Sequence, residues 1–153
     1  MGNAAEKMSP QRRSAPQRIA VVLEDSAPNR RIVSTLLQKL NFDVKEASNG
    51  KEGLARLEEC KQNHKKVELI MSDVMMPLMD GFQFLEEIRK KDDFKMTPFV
   101  FVTSLANNEH IKKAQNLKAN GYILKPIVVN QLLKKLTTLF PDLDSVARKI
   151  QTP

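Results

Sequence analysis

No apolar run in this 153-residue chain approaches the roughly 20 residues that a membrane-spanning helix needs, so no membrane association is expected. Met1 to Gln17 lack the apolar stretch of a secretory signal. There is a single cysteine, Cys60, so no internal disulfide can form and a reducing, cytoplasmic setting is expected. With no partner motif beside it, Cys60 reads as a helix residue and not a nucleophile. A Walker-type glycine loop is also missing, since Gly50 and Gly53 do not form one; this removes a P-loop nucleotide-binding module.

The net charge of +7 comes from 25 basic against 18 acidic residues. Part of it sits in the leading segment, where Lys7, Arg12, Arg13 and Arg18 face only Glu6. Much of the rest is lysine scattered over predicted helices, which reads as a solvated face. Nucleic-acid binding is the minor reading, because no reading motif accompanies the charge. Hydrophobic residues make up 41% and charged residues 28%, an ordinary globular mixture that allows one domain with a real core. Residues 1–17 are expected to form a disordered basic tail, 18–140 the folded domain, and 141–153 an extension too short for a second domain.

From Arg18 onward, short β-type runs alternate with amphipathic helical stretches. Ile19 to Leu23 is continuously apolar, as suits a strand buried on both faces, and stops at Glu24-Asp25. Ser26 is placed to cap the next helix with Pro28 in its first turn, and Ile32, Val33, Leu36, Leu37 and Leu40 follow at helical spacing. A more polar strand, Val44 to Ala47, suggests a sheet edge. Gly50 leads into a helix carrying Leu54 and Leu57. The strand Val67 to Ser72 ends at Asp73, and a loop through Met75, Pro77 and Asp80-Gly81 leads to a helix with Phe84, Leu85 and Ile88. Phe99 to Val102 ends at Thr103. A helix with Ile111, Ala114 and Leu117 precedes the strand Tyr122 to Leu124, which ends at Lys125-Pro126. The final helix carries Leu132, Leu133, Leu136 and Leu139; beyond Pro141, Val146 and Ile150 either extend a helix or fray. This alternation predicts an α/β fold, a doubly wound five-stranded parallel sheet with helices on both faces.

In such a sheet the strand C-termini gather along one edge, where ligands bind. Here Glu24-Asp25, Asp73, Thr103 and Lys125 each end a hydrophobic strand, so three carboxylates, a hydroxyl and an ammonium are expected to share one crevice. Clustered carboxylates repel, and a hard divalent cation resolves the conflict; Mg²⁺ prefers one or two carboxylates plus waters and a phosphate oxygen. The lysine and hydroxyl would then face a second anion, as in phosphoryl transfer, with a carboxylate able to serve as nucleophile. Taken singly, each residue has a blander role: a cap or turn for Asp25, strand-end packing for Thr103, surface charge for Lys125. Asp80, before Gly81, reads as a helix N-terminal residue with no catalytic role. The joint pattern carries the signal.

At these residues the sequence closely resembles the receiver domain of bacterial response regulators. The matching segments are Val21-Val22-Leu23-Glu24-Asp25-Ser26, Ser72-Asp73-Val74-Met75-Met76-Pro77-Leu78-Met79-Asp80-Gly81, Val102-Thr103-Ser104 and Gly121-Tyr122-Ile123-Leu124-Lys125-Pro126. The resemblance implies sheet order 2-1-3-4-5. It implies Asp73 as the phosphoacceptor, phosphorylated by a histidine kinase or phosphotransfer protein. Mg²⁺ would be held by Asp25, Asp73 and the Met75 carbonyl, with Glu24 acting through water. Thr103 and Lys125 would grip the phosphoryl oxygens, and Lys125-Pro126 would be a cis peptide. Thr103 and Tyr122 match the family's switch pair, the ring turning inward on phosphorylation; by its residue type alone, Tyr122 is a half-buried strand aromatic with a wet hydroxyl. The output surface would be the fourth helix, last strand and fifth helix, bearing Lys112, Lys113, Lys118, Lys134 and Lys135.

The positions two residues after Asp73 and two after Thr103 are Met75 and Leu105, which cannot orient a hydrolytic water; a long-lived phosphoryl group is expected. The chain is expected to signal to a downstream protein target, as a monomer or weak dimer, without acting as an enzyme on an outside substrate. Two alternatives are a receiver fragment of a longer DNA-binding regulator and an Mg²⁺-dependent aspartyl phosphatase of the haloacid dehalogenase type. The second is weakened by Met75, where that family places a second Asp.

Overall fold

The computed structural model describes residues 17–151. The basic tail expected at the N-terminus lies, apart from Gln17, outside the described residues, as do residues 152–153. Strands β1 (Arg18–Leu23), β2 (Phe42–Ala47), β3 (Val67–Ser72), β4 (Phe99–Thr103) and β5 (Gly121–Leu124) alternate with helices α1 (Ala27–Lys39), α2 (Gly50–Gln62), α3 (Gly81–Arg89), α4 (Asn108–Asn116) and α5 (Val129–Leu139). A 3₁₀ turn (Pro141–Leu143) and a sixth helix, α6 (Asp144–Gln151), follow. All strand pairs are parallel, in the order β2-β1-β3-β4-β5.

Side-chain alternation divides the core in two. In β1, Ala20 and Val22 join a cluster with Val33, Leu37, Leu132 and Leu136 of α1 and α5. Ile19, Val21 and Leu23 point the other way, into a cluster with Leu57, Phe84, Leu85 and Ala114 of α2, α3 and α4. In β4, Val100 and Val102 face the first cluster and Phe99 and Phe101 the second. The β1–β3 register shifts between Ile19 and Ala20, which pair with Val67 and Leu69 and so skip Glu68. That bulge lets Val67 and Ile70 share one face despite their odd spacing, and brings Glu68 to the Arg18 Nε at 3.5 Å.

Two strand boundaries differ from the sequence reading, and the structure decides between the two outcomes left open after Pro141. β2 starts at Phe42 and not Val44, because Phe42 is buried against Phe140 and pairs with Arg18. β5 starts one residue early, at Gly121, opposite Val100. Beyond Pro141 the chain forms a helix: Leu143 and Ala147 are buried in the α1–α5 cluster, and Val146 and Ile150 pack against it. This segment is pinned to the start of the sheet by Arg18, whose Nη2 lies 2.9 Å from Asp142 and whose guanidinium sits 4.9 Å above the Phe140 ring.

Candidate functional site

The parallel arrangement brings the ends of β1, β3, β4 and β5 to one rim, as the strand-end pattern predicted. The Asp73 N–H donates to the Leu23 carbonyl at 3.0 Å, setting the end of β3 beside the end of β1. Asp73 is 8% exposed. Its Oδ1 accepts from the amides of Val74 at 2.6 Å and Met75 at 3.3 Å, and its Oδ2 accepts from Lys125 Nζ at 2.7 Å. The same ammonium donates to Glu24 Oε1 at 2.6 Å, while Glu24 Oε2 accepts from the Ser26 amide at 3.0 Å. Lys125 is held there by its own N–H, which donates to the Thr103 carbonyl at 2.9 Å, and it precedes a cis peptide to Pro126.

Burial pushes the Glu24 carboxyl above its ordinary pKa despite the hydrogen bonds from Lys125 and Ser26, and the nearby Asp73 charge adds to the rise. Burial pulls the Lys125 ammonium down, but its hydrogen bonds to Asp73 and Glu24 more than offset this, so its pKa stands above the ordinary lysine value. Asp25 is exposed beside this bridge. The expected carboxylate trio is therefore only partly assembled, and among the described residues no three metal-binding side chains converge. Glu24 and Asp73 share one cation, and Asp25 faces solvent. Three carboxylates against one ammonium still leave an excess of negative charge at an open rim, a donor set that fits a hard divalent cation.

The loop from Val74 to Asp80 is folded back over the end of β3. The Gly81 amide donates to the Val74 carbonyl at 2.8 Å, and a Cβ at Gly81 would collide with the Asp73 carbonyl, so the close approach admits only glycine. Asp80 caps α3 in a reciprocal box with Gln83, the structural role read for it from sequence. Met75 is 62% exposed, so its side chain offers the site neither a polar group nor a buried wall. Leu78 takes a left-handed φ of 69°, unusual for a branched residue.

Thr103 is fully buried, and its Oγ1 accepts the Leu105 amide at 3.4 Å. The Tyr122 ring lies 5.9 Å from that of Phe101, and its hydroxyl donates to the Leu105 carbonyl at 2.8 Å. The expectation of a wet hydroxyl is corrected here: the β4–α4 loop turns its carbonyl toward β5 and captures the phenol. Burial, with the Asp73 charge, raises the Tyr122 pKa.

The lysines read as solvated include two that are engaged. Lys113 Nζ sits 4.8 Å above the Phe82 ring, and Lys135 donates to the Asn120 carbonyl at 2.9 Å while covering Gly121. Sequence reasoning also missed Arg30, which donates to the Glu24 backbone carbonyl at 2.6 Å. An arginine six residues on, bound to a main-chain oxygen, leaves no motif.

Residues 20–137 match the family model for the response regulator receiver domain. The chain belongs to that family. The receiver is similar to chemotaxis protein CheY-3 of Vibrio cholerae, at 32% identity over 121 residues, covering 78% of this chain and 89% of that protein. Among solved structures it resembles the chemotaxis response regulator CheY4 of Vibrio cholerae, with a TM-score of 0.72 and 30% identity over 81% of this chain and 99% of that one. The receiver domain of a Pseudomonas aeruginosa sensor histidine kinase, solved with magnesium in its active-site cleft, shares the fold at a TM-score of 0.71 and 20% identity, covering 82% and 99%. Other curated relatives are longer proteins, of which this receiver spans 35% and 13%. No helix among its described residues is long and apolar enough to cross a membrane.

Proposed function

We propose that this receiver is a cytoplasmic phosphorylation switch in which Asp73 takes a phosphoryl group from a histidine kinase or phosphotransfer protein and passes the signal to a downstream protein. The observation that carries this reading is the Asp73–Lys125–Glu24 bridge: a nearly buried carboxylate at a strand end, with an ammonium already 2.7 Å from one oxygen. In the transfer, an Asp73 carboxylate oxygen bonds to phosphorus as the donor's N–P bond breaks and the imidazole leaves. Lys125 moves from Asp73 Oδ2 to a phosphoryl oxygen and keeps the new charge neutralised, while the Val74 and Met75 amides hold the acyl oxygen in place. Thr103 exchanges the Leu105 amide for a phosphoryl oxygen, and this is the step that reaches the Tyr122 side of the molecule.

Asp25, Asp73 and the Met75 carbonyl would hold Mg²⁺, with Glu24 acting through water; when bound, the ion supplies the positive charge that three carboxylates and an incoming phosphoryl group require. The buried, free Cys60 suits a reducing compartment. The deciding experiment is incubation with acetyl phosphate and Mg²⁺ followed by intact-mass measurement. One phosphoryl adduct is expected on the wild type and none on Asp73→Asn; an adduct that survives the substitution overturns the assignment.

A further inference from the structure

The pairing of β1 with β2 stops at Leu23 and Ala47, so the carbonyl one residue beyond the end of β1 lacks a strand partner. The next residue, Glu24, still donates its amide to the Ala47 carbonyl at 3.0 Å, but its own carbonyl points away from the ladder. Arg30, in the first turns of α1, fills that role: its Nη1 donates to the Glu24 carbonyl at 2.6 Å. The guanidinium is anchored in turn, with Nε 3.5 Å from Glu46 Oε1 on the edge strand β2. Glu46 is fixed from two sides. Its Oε2 accepts the buried Ser34 hydroxyl at 2.6 Å, and its backbone carbonyl accepts Arg56 Nε at 3.0 Å from α2.

This network bears on one residue above all, Asp25. The peptide before it is held through the Glu24 carbonyl by Arg30; the peptide after it is held through the Ser26 amide by the Glu24 carboxylate at 3.0 Å. The Asp25 side chain is exposed, and these two peptide planes fix the Cα–Cβ bond from which its carboxylate projects. We infer that Arg30, anchored by Glu46, is a positioning residue that fixes the backbone of Asp25 and thereby aims its carboxylate at the cation site. This rests on the reading of Asp25 as an Mg²⁺ ligand. Groups that orient metal ligands without touching the metal typically change affinity by about 10- to 100-fold when removed. Arg30 acts on a backbone, so the lower end of that range applies.

Charge alone makes the opposite prediction. A guanidinium beside a cation site repels the cation, and removing it should tighten binding. Positioning predicts that removing it weakens binding. The two effects differ in sign, so one measurement separates them.

The experiment is a Mg²⁺ titration of the unphosphorylated full chain, followed through backbone amide NMR shifts, with urea unfolding of each variant alongside. The wild type should show a saturable shift at the amides around residue 25, lost in Asp25→Ala. If that shift is absent, the metal reading falls and takes this inference with it. Where it is present, Arg30→Met and Arg30→Lys should each raise the Mg²⁺ Kd by about tenfold. The lysine keeps the charge but cannot fork between the carbonyl and Glu46. Hydrogen exchange at the Asp25 and Ser26 amides should speed up in both. Should Arg30→Met fail to fold, a second pair carries the test: Glu46→Ala should weaken Mg²⁺ binding, and Glu46→Gln, which keeps an acceptor for Arg30, should restore most of it. An unchanged or tighter Kd in Arg30→Met, or equal behaviour of the two Glu46 variants, overturns the proposal while leaving the Mg²⁺ reading intact.

Discussion

The Tyr122 hydroxyl donates to the carbonyl of Leu105 while the Leu105 amide donates to Thr103, so one loop residue is gripped on both sides, by β4 and by β5. On the proposed function, movement of Thr103 toward a phosphoryl group would release one side of Leu105 and leave the other attached to β5. Tyr122→Phe keeps the ring packing and removes only the hydroxyl. It should cost about 1 kcal/mol in urea unfolding, the usual net value of one such hydrogen bond. Phosphorylation of Asp73 by acetyl phosphate should be unaffected. A stability unchanged within error would show that the phenol gains nothing from the loop.

Asp25 offers a cleaner test of the metal site than Glu24, because it takes no part in the Lys125 bridge. Asp25→Ala should abolish Mg²⁺-dependent phosphorylation by acetyl phosphate while changing thermal stability by less than about 0.5 kcal/mol, as for other exposed positions. Undiminished adduct formation at saturating Mg²⁺ would remove Asp25 from the ligand set.

Lys125 is predicted to govern the pH dependence of stability. Its folded pKa lies above the ordinary lysine value, so its contribution is complete below that value and is lost as pH rises through the folded one. The Glu24 carboxyl is raised, so between its ordinary and folded pKa the native state holds more protons than the unfolded chain, and stability falls as pH rises across that window. Lys125→Met leaves two carboxylates without their shared cation and should cost about 2 kcal/mol at neutral pH, less than the roughly 3–5 typical of a fully buried pair because this rim is open to water. The deficit should shrink as pH falls and the Glu24 carboxyl, raised above its ordinary pKa, protonates, and shrink again on adding Mg²⁺. Urea unfolding across pH measures both; a pH-independent deficit would contradict the bridge.

Much of the site was legible because each buried strand announces its end by a switch from apolar to charged or hydroxylated residues. Asp73, Thr103 and Lys125 are found by that rule alone once the strands are assumed parallel. The contacts that were not legible run through the main chain. Tyr122 binds a carbonyl, Arg30 binds a carbonyl, and Lys135 binds a carbonyl, and a carbonyl is present at every position of a sequence. The start of β2 was hidden for another reason: Asn41 and Asp43 flank Phe42, and only the burial of that ring against Phe140 reveals it as strand.

The lifetime of the phosphoryl group is predicted from Met75 and Leu105. Met75 is largely exposed and apolar, and both backbone groups of Leu105 are already engaged, so neither side chain offers an acceptor to hold a water in line with phosphorus. Loss of phosphate from wild type should be slow, and Met75→Asn with Leu105→Glu should accelerate it by about tenfold or more, the low end of what a positioned acid–base group supplies. The idea is falsified if wild type already releases phosphate as fast as the double variant. Poor phosphorylation of the variant would instead point to disturbed metal geometry.

The bridge from Lys125 reaches Asp73 across 52 residues of sequence and Glu24 across 101. Each carboxylate follows the end of a different strand, and the ammonium follows β5, the last strand in the chain. The rim is thus the point at which the whole chain closes on itself, and no partly folded form that lacks β5 can possess it. A cation or phosphoryl group bound there reports on complete folding, and its binding energy is added to the global stability of the sheet instead of to any local opening. On the proposed function, misassembled copies of this chain would be mute: they could neither receive a signal nor pass it on.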